Sequence, residues 1–487
     1  MSLNSPAFLF IFLPLFLLAY TLTGKRWRNP VLMVFSALFL LWSDPLFAPL
    51  LILLVCLNFI FLRQVQKPHS SPNHPTGWLG FAIGVNLVIL LAFKVLATYG
   101  MELLPSLETS LPYPIQKVFA YLLKINQFPL GLSFLAFQAI NMLVDASQPA
   151  KQQSYSFASI FNFLIAFPKL ISGPILRFRQ VIPSFEQRPF HSSQMAAGIR
   201  RFLTGFVKKT IIADQLALIT DGGIFNQPPA GISTGIAWLA IIAFTLQIYI
   251  DFSAYTDMAI GLGQVMGFSF PENFNYPYVS TSITEFWRRW HITLSGWFRD
   301  HVFYPLERKR RFIHWLTQPI NTMIVFVLTG LWHGITPTFI FWGLLQGAAI
   351  SVERTAIGKW KDHLWLPIRH GLTLLTILLG WVFFRSPSLP HAWGFLQTLV
   401  GIHQSTAPLP FSVLPPLTIF MWFALIAGTL LSFPILPAIE KYLEGKFSVH
   451  TSAWRGWLKD GLLLALFILG IIFQAGTSYQ PFIYGGF

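Results

Sequence analysis

Long apolar runs recur from one end of this chain to the other, and they restrict its fold more than any other feature. A helix that crosses a bilayer needs about 17 to 25 mainly apolar residues, and the backbone groups of such a segment must be paired within it. The sequence therefore predicts an all-α polytopic membrane protein. The candidate spans are 6–23, 30–43, 46–62, 77–97, 128–145, 156–172, 197–217, 233–250, 318–332, 336–352, 366–384, 412–433 and 461–478.

Little room is left for a soluble domain between these runs. Only 10% of the 487 residues are charged, against roughly 25% in soluble domains. The longest polar interval, 271–312, is close to the roughly 40 residues below which a chain rarely folds alone. We expect one transmembrane domain, 1–487. Its parts are N-terminal helices 1–150, a central part 151–355 that includes an interfacial segment 271–313, and C-terminal helices 356–487.

The net charge of +15 indicates membrane topology rather than nucleic-acid binding. Lys and Arg collect in the cytoplasmic loops of membrane proteins; the basic clusters lie between apolar runs here, and no nucleic-acid motif accompanies them. The run 6–23 precedes the cluster 25–28, which predicts a retained span with an outside N-terminus. Arg455 and Lys459 likewise place the uncharged tail 476–487 outside.

Two termini on the same side require an even number of crossings, whereas the candidate spans number thirteen. We therefore expect at least one apolar block to enter the membrane and return, or to lie within the bundle. Two blocks are candidates: 156–172, which Gly173 follows, and 318–332, which is short and ends beside His333. Non-helical backbone at that depth needs surrounding protein or a water-filled cavity.

His333 is the most informative single residue, because an apolar run ends there in the sequence Leu-Thr-Gly-Leu-Trp-His-Gly. An ionisable group at membrane depth is expensive and is a candidate functional group by default. The alternative is a neutral histidine that forms a hydrogen bond within a helix bundle. Position alone favours neither interpretation.

Asp251 and Asp257 interrupt another apolar stretch. A spacing of six residues does not place both carboxylates on one helical face, so a bend near Ser253 would fit. In one interpretation, one of the two acids orients a histidine or caps a broken helix. In the other, which the residues favour slightly, both are hydrogen-bonded acids at a helix end near the interface.

The segment from Ser282 to Glu285 fits the capping box, in which a hydroxyl caps a helix and an acid stands three residues later. We expect a helix to begin there and to continue over 286–300, with Trp287 and His291 one turn apart. By itself the segment favours an interfacial helix with snorkelling arginines.

A second interpretation of this basic, aromatic surface is a docking site for a phosphate-bearing donor such as coenzyme A. Arg288 and Arg289 would lie near the donor phosphates, and Trp287 offers a ring on which adenine stacks.

Together His291 and His333 suit acyl transfer, since a histidine can take the proton from an attacking hydroxyl while a second polar group stabilises the oxyanion. No serine or cysteine nucleophile motif accompanies them, and the histidines lack metal-ligand spacing. The single Cys56 excludes a site built on several cysteines. We expect no metal and no tightly bound cofactor.

Six segments, in order from Pro129 to Gly334, resemble the membrane-bound O-acyltransferase family, and most closely the branch that includes the alginate O-acetyltransferase membrane subunit. They are PLGLSF with Phe137-Gln138, FPKLISGPI at 167–175, DFS at 251–253 through Gly261, PENF at 271–274, EFWRRWH at 285–291 and LTGLWHG at 328–334.

The resemblance implies a bundle of about 10–12 transmembrane helices, with re-entrant and interfacial helices, around a funnel or tunnel. It also implies acyl-CoA approaching from the cytoplasm, His333 at the reaction centre and His291 in support, with Trp332, Asp251 and Asp257 beside the site. For this branch, an acetyl group from acetyl-CoA would cross a bacterial inner membrane towards an exported, alginate-like polysaccharide. The expected partner is a periplasmic SGNH-hydrolase-like acetyltransferase.

Alternatives remain open. Within the enzyme class, they are O-acetylation of peptidoglycan and D-alanyl transfer to teichoic acid from a carrier protein. A proton-coupled transporter also places His and Asp at membrane depth, although no internal repeat typical of many transporters is visible. A non-catalytic assembly scaffold is the remaining class.

Overall fold

A computed structural model of the chain describes residues 1–67, 76–110, 128–148, 154–186, 191–221, 224–309, 314–361, 363–402, 417–446 and 452–476. Every regular element in these ranges is helical, which confirms the all-α prediction.

Short π-helical segments, Phe8–Phe12, Lys208–Ala213 and Arg299–Phe303, lead into α1, α9 and α13. The α-helices are α1 (Leu13–Leu22), α2 (Arg28–Ser43), α3 (Ala48–Val65), α4 (Thr76–Ser110), α5 (Leu132–Ala146), α6 (Phe157–Ile165), α7 (Phe178–Glu186), α8 (Ser192–Val207), α9 (Asp214–Thr220), α10 (Thr234–Val265), α11 (Ile283–Arg289), α12 (Ile292–Phe298), α13 (Tyr304–Lys309), α14 (His314–His333), α15 (Pro337–Glu353), α16 (Ala356–Lys361), α17 (Leu366–Arg385), α18 (Leu389–Leu399), α19 (Ile419–Leu431), α20 (Ile435–Lys446) and α21 (Ser452–Gly476).

Several helices are long and apolar enough to cross a membrane. Among the described residues, five pass by length and composition, and α19 with part of α20 makes a sixth, bent by 64°. The chain is thus a multi-pass membrane protein, whereas the count of about 10–12 crossings and the side of each terminus stay predictions. Residues 477–487, on which the side of the C-terminus depends, lie outside the described residues. The five are Ala48–Val65, Gly77–Gly100, Thr234–Val265, Leu366–Arg385 and Gly456–Gly476.

The two blocks expected to depart from a simple span behave differently. In block 156–172, α6 ends at Ile165, and buried turns follow as far as Ser172. Block 318–332 instead lies within the continuous helix α14, which has Pro319 near its start and ends at His333. A broken backbone is therefore found in the first block and not in the second.

The contacts divide the chain into two compact units, of which the first contains residues 1–199 and 259–271. Phe167, in the turns after α6, lies at the centre of an aromatic cluster. Its ring centroid is 4.9 to 6.0 Å from those of four phenylalanines on the N-terminal helical segments and α2. Such ring pairs stabilise by about 0.5–1.5 kcal/mol beyond their burial. The four are Phe8, Phe12, Phe16 and Phe39.

The second unit contains residues 200–258 and 272–483, and with them every predicted site residue. Within it, α14 and α15 form a tight helical hairpin. A Cβ atom on Gly330 would collide with the backbone oxygen of Phe339, and one on Gly343 with that of Phe326. Small residues allow membrane helices to pack this closely, and the hairpin fixes the C-terminal end of α14, where His333 lies.

Candidate active site

The segment before His291 begins as the sequence predicts but does not continue as one helix. Ser282 Oγ accepts a hydrogen bond of 3.0 Å from the backbone N–H of Glu285, so the predicted cap is confirmed. However, α11 ends at Arg289, and His291 lies in the left-handed region with φ +42° and ψ +53°. The expected continuous helix over 286–300 is therefore wrong.

Backbone pairing with the preceding loop causes this break. The N–H of Ile292 donates to the carbonyl of Asn273 at 2.9 Å, and the N–H of Asn275 donates to the carbonyl of Arg289 at 3.0 Å. Backbone strain of this kind costs about 1–3 kcal/mol at a residue other than glycine and clusters at functional sites. The loop thus holds His291 in a conformation that a helix would not give it.

His291 is almost completely buried, with 1% of its surface exposed. The centroid of its ring lies 4.7 Å from that of Phe252 and 6.0 Å from that of Trp332. Its Nδ1 atom lies 3.1 Å from Oδ1 of Asn273. Burial lowers the pKa of the His291 imidazole to about 3, so the ring is neutral near pH 7.

His333, the last residue of α14, is 5% exposed and is surrounded by aromatic rings. Ring centroids of Trp332, Trp342 and Phe384 lie 4.6, 5.3 and 4.9 Å from its own. Because Trp332 contacts both imidazoles, the structure brings His291, Trp332 and His333 into one cluster. We call these three residues the histidine cluster.

A cavity of about 440 Å³ lies within the same unit. Its lining includes three exposed arginines, several apolar side chains and Thr329, one turn before His333 on α14. Arginines suit phosphates, and an apolar wall suits an acyl chain. Neither histidine is among the lining residues, although Ile292 beside His291 is. The arginines are Arg288, Arg299 and Arg354.

Two of the predicted donor-binding residues line this cavity, and the third does not. Trp287 and Arg288 line it, and the indole N–H of Trp287 donates to Gln346 Oε1 at 3.2 Å. Arg289 instead donates to Glu285 Oε1 at 3.0 Å and to the carbonyl of Asn275 at 3.2 Å. Its guanidinium is thus held by the protein.

The two predicted aspartates lie on α10, which is continuous through Ser253, and both form ion pairs. Asp251 lies 2.9 Å from Lys209 Nζ, which is also 2.8 Å from Asp214. Asp257 lies 2.8 Å from Lys208 and 2.9 Å from Arg201. We call these six residues, together with Glu272, which also pairs with Arg201, the ionic cluster.

Sequence reasoning missed the cations of the ionic cluster, although a signal was present. Lys208 and Lys209 fall inside the candidate span 197–217, and lysines at membrane depth require acidic partners.

Glu353 was also missed. Its carboxylate accepts from the N–H groups of Ile283 and Thr284 at 2.6 and 2.9 Å and so caps α11 from the end of α15. No local pattern predicts a cap that lies 70 residues away along the chain.

Within the described ranges, no group of three or more His, Cys, Asp and Glu side chains is arranged to hold a metal ion. The polar atoms of the histidine cluster are imidazole nitrogens and an indole N–H, which suit proton transfer and hydrogen bonding.

Comparison with known proteins decides the family. The model of the membrane-bound O-acyltransferase family matches residues 61–366. The chain belongs to this family. It is therefore an acyltransferase, and the matched stretch contains both histidines and the cavity.

Individual relatives agree with this family assignment. The chain is 34% identical over 505 residues to a probable alginate O-acetylase AlgI of Pseudomonas putida, covering 99% of both chains. It is 29% identical over 531 residues to a peptidoglycan O-acetyltransferase of Helicobacter pylori, covering 99% of this chain and 97% of that protein. It is 31% identical over 271 residues to a teichoic acid D-alanyltransferase of Bacillus subtilis, covering 52% and 66%.

Proposed function

We propose that this protein takes an acetyl group from cytoplasmic acetyl-CoA and passes it across a bacterial inner membrane for O-acetylation of an exported, alginate-like polysaccharide. A periplasmic SGNH-hydrolase-like acetyltransferase would complete the transfer. The observation that carries this proposal is the histidine cluster, which lies in the same unit as an arginine-lined cavity. The alginate O-acetylase relatives, matched over nearly the whole chain, support acetyl as the acyl group and a polysaccharide as the final acceptor.

The cavity supports the choice of a CoA thioester as donor. Arg288, Arg299 and Arg354 offer charge-assisted hydrogen bonds to phosphates, and Trp287 offers an aromatic wall beside them. Four residues of α14, the helix that ends at His333, also line the cavity: Thr322, Val325, Phe326 and Thr329.

In the proposed reaction, the acceptor hydroxyl oxygen attacks the thioester carbonyl carbon. A new C–O bond forms and the C–S bond breaks. The hydroxyl proton passes to an imidazole nitrogen of His333, acting as general base, and then to the departing thiolate of CoA. A transient acyl group on His333 would divide the same transfer into two steps, while His291 orients the reacting groups.

The test is an assay with inside-out membrane vesicles from cells that contain the protein and from cells that lack it. Labelled acetyl-CoA is supplied on the cytoplasmic face, and base-labile label is measured in polymer and in periplasmic protein. We expect label only where the protein is present, and its passage to polymer only where the periplasmic transferase is also present. Unchanged label in its absence would overturn the proposal.

Transfer to peptidoglycan is a second candidate, because the relative from Helicobacter pylori also matches nearly the whole chain. The same vesicles distinguish the acceptors when polysaccharide and peptidoglycan are separated before counting. Label from a D-alanyl carrier protein instead of acetyl-CoA would point to teichoic acid.

A further inference from the structure

Asn273 lies in the loop that pairs with the His291 segment, and its side chain has an unambiguous orientation. Its Oδ1 atom accepts from the backbone N–H of Thr293 at 3.2 Å and from Thr293 Oγ1 at 2.9 Å. A backbone N–H can only donate, so the atom that faces it must be the amide oxygen rather than the nitrogen. The asparagine therefore presents an acceptor to its neighbours.

The same oxygen lies 3.1 Å from Nδ1 of His291. An amide oxygen accepts only, and Nδ1 must therefore carry a proton. In a neutral imidazole, the other nitrogen then has a lone pair. That nitrogen, Nε2, is buried and has no hydrogen-bond partner among the described residues, and the same holds for Nδ2 of Asn273.

A buried acceptor without a partner is costly, because no hydrogen bond compensates for the loss of its hydration. The cost is understandable where a substrate group completes the hydrogen bond. We propose that Asn273 is a positioning residue that fixes His291 as the Nδ1–H tautomer, so that the Nε2 lone pair accepts a hydrogen bond from a reacting group. This inference rests on the proposed acyl transfer and assigns His291 the role of a neutral orienting acceptor.

The charged groups around His291 are engaged elsewhere. The rings of Phe252, Phe274 and Trp332 pack against it. Asp251 pairs with Lys209, Glu272 with Arg201, and Arg289 with Glu285. The ring of His333 contacts that of Trp332. The partner that polarises the His291 ring directly is the amide of Asn273.

The first test measures the tautomer itself. Protein labelled with 15N-histidine is compared with His291→Gln, and the difference spectrum gives the two ring-nitrogen signals of His291. We expect a protonated Nδ1 and an unprotonated Nε2 in the wild-type protein. A protonated Nε2 with a bare Nδ1 overturns the inference, whatever the protein transfers.

The second test uses acetyl transfer. Asn273→Ala removes the acceptor, and kcat should fall at least about tenfold, the size of effect seen for side chains that orient metal-bound histidines, with KM for acetyl-CoA changed by less than about twofold. Asn275→Ala, a matched change in the same loop, should leave kcat unaltered. Equal kcat values for the two variants would contradict the inference.

Asn273→Asp keeps the oxygen acceptor and adds a negative charge. This variant should regain much of the activity lost in Asn273→Ala, and the acid limb of its pH–rate profile should move up by about one pH unit or more, because a carboxylate favours the imidazolium. A purely structural role would not move that limb, so an unshifted profile would count against the inference. Failure of wild-type transfer from acetyl-CoA would overturn the proposed function, while the NMR result would still decide the tautomer.

Discussion

The histidine cluster and the ionic cluster accommodate buried polar side chains in opposite ways. Each aspartate of the ionic cluster lies within 3 Å of a lysine or arginine nitrogen. The two imidazoles instead lie among aromatic rings, and His291 has one nitrogen without a protein partner in the described structure.

This difference indicates a division of labour. Charges that are compensated within the protein suit a structural role, whereas the neutral His291 ring, with one nitrogen unpaired in the described structure, suits chemistry. Asp251 and Asp257 were predicted to lie beside the site, and their contacts favour a structural role.

The sharpest test of this division is His333→Ala. If His333 is the general base, acetyl transfer should fall by about 10² to 10⁴-fold, with the amount of inserted protein unchanged. Rates are measured with labelled acetyl-CoA in membranes normalised for protein. His363→Ala, at an exposed histidine, serves as control. Retained transfer in His333→Ala would remove this residue from the reaction centre.

Lys209→Met tests the ionic cluster. The change leaves Asp214 and Asp251 without their shared cation at a site where the side chains of Lys209 and Asp251 are 4% and 3% exposed. Breaking a buried pair in this way destabilises by about 3–5 kcal/mol, and the detergent-solubilised protein should unfold at a clearly lower temperature.

The adjacent residue provides the matched control. Lys208→Met leaves Asp257 paired with Arg201, and the side chains are 17% and 18% exposed, so the loss should be smaller, about 1 kcal/mol. An equal loss of stability in both variants would mean that the difference in burial does not make one ion pair more important for stability than the other.

Two arginines that are adjacent in sequence differ in their relation to the cavity: Arg288 lines it and Arg289 does not. Arg288→Ala should raise KM for acetyl-CoA about tenfold, equivalent to about 1.4 kcal/mol, because it removes a cation from the cavity wall. Arg289→Ala should leave KM nearly unchanged, since that side chain pairs with Glu285. Initial rates over a range of acetyl-CoA concentrations give both values, and a larger effect at Arg289 would place the donor elsewhere.

Much of this organisation was accessible from the sequence for a simple reason. Apolar spans are long, so the helical class was predicted correctly, and an ionisable residue such as His333 stands out within them. The roles of His333 and His291 stay predictions. The capping box at Ser282 was equally local.

What the sequence did not provide depends on residues that are distant along the chain. The left-handed backbone of His291 arises from pairing with the loop at Asn273, and α11 is capped by Glu353. The cavity forms only when α11, α12, α14 and α15 come together. No local periodicity encodes these contacts.

The last effect expected concerns pH and follows from the burial of His291. Its pKa is about 3 in the folded protein and about 6.5 in an unfolded chain. Between these values the unfolded state binds one more proton, so stability falls as pH falls, by about 1.4 kcal/mol per pH unit for this group.

His291→Gln should therefore lose less stability than the wild-type protein between pH 6 and about 5, as measured by thermal unfolding in detergent. His363→Gln, at the exposed control position, should keep the wild-type slope. Should His291→Gln keep it as well, the ring must already be charged in the folded state, and the contrast between a neutral His291 and a charged ionic cluster would no longer hold.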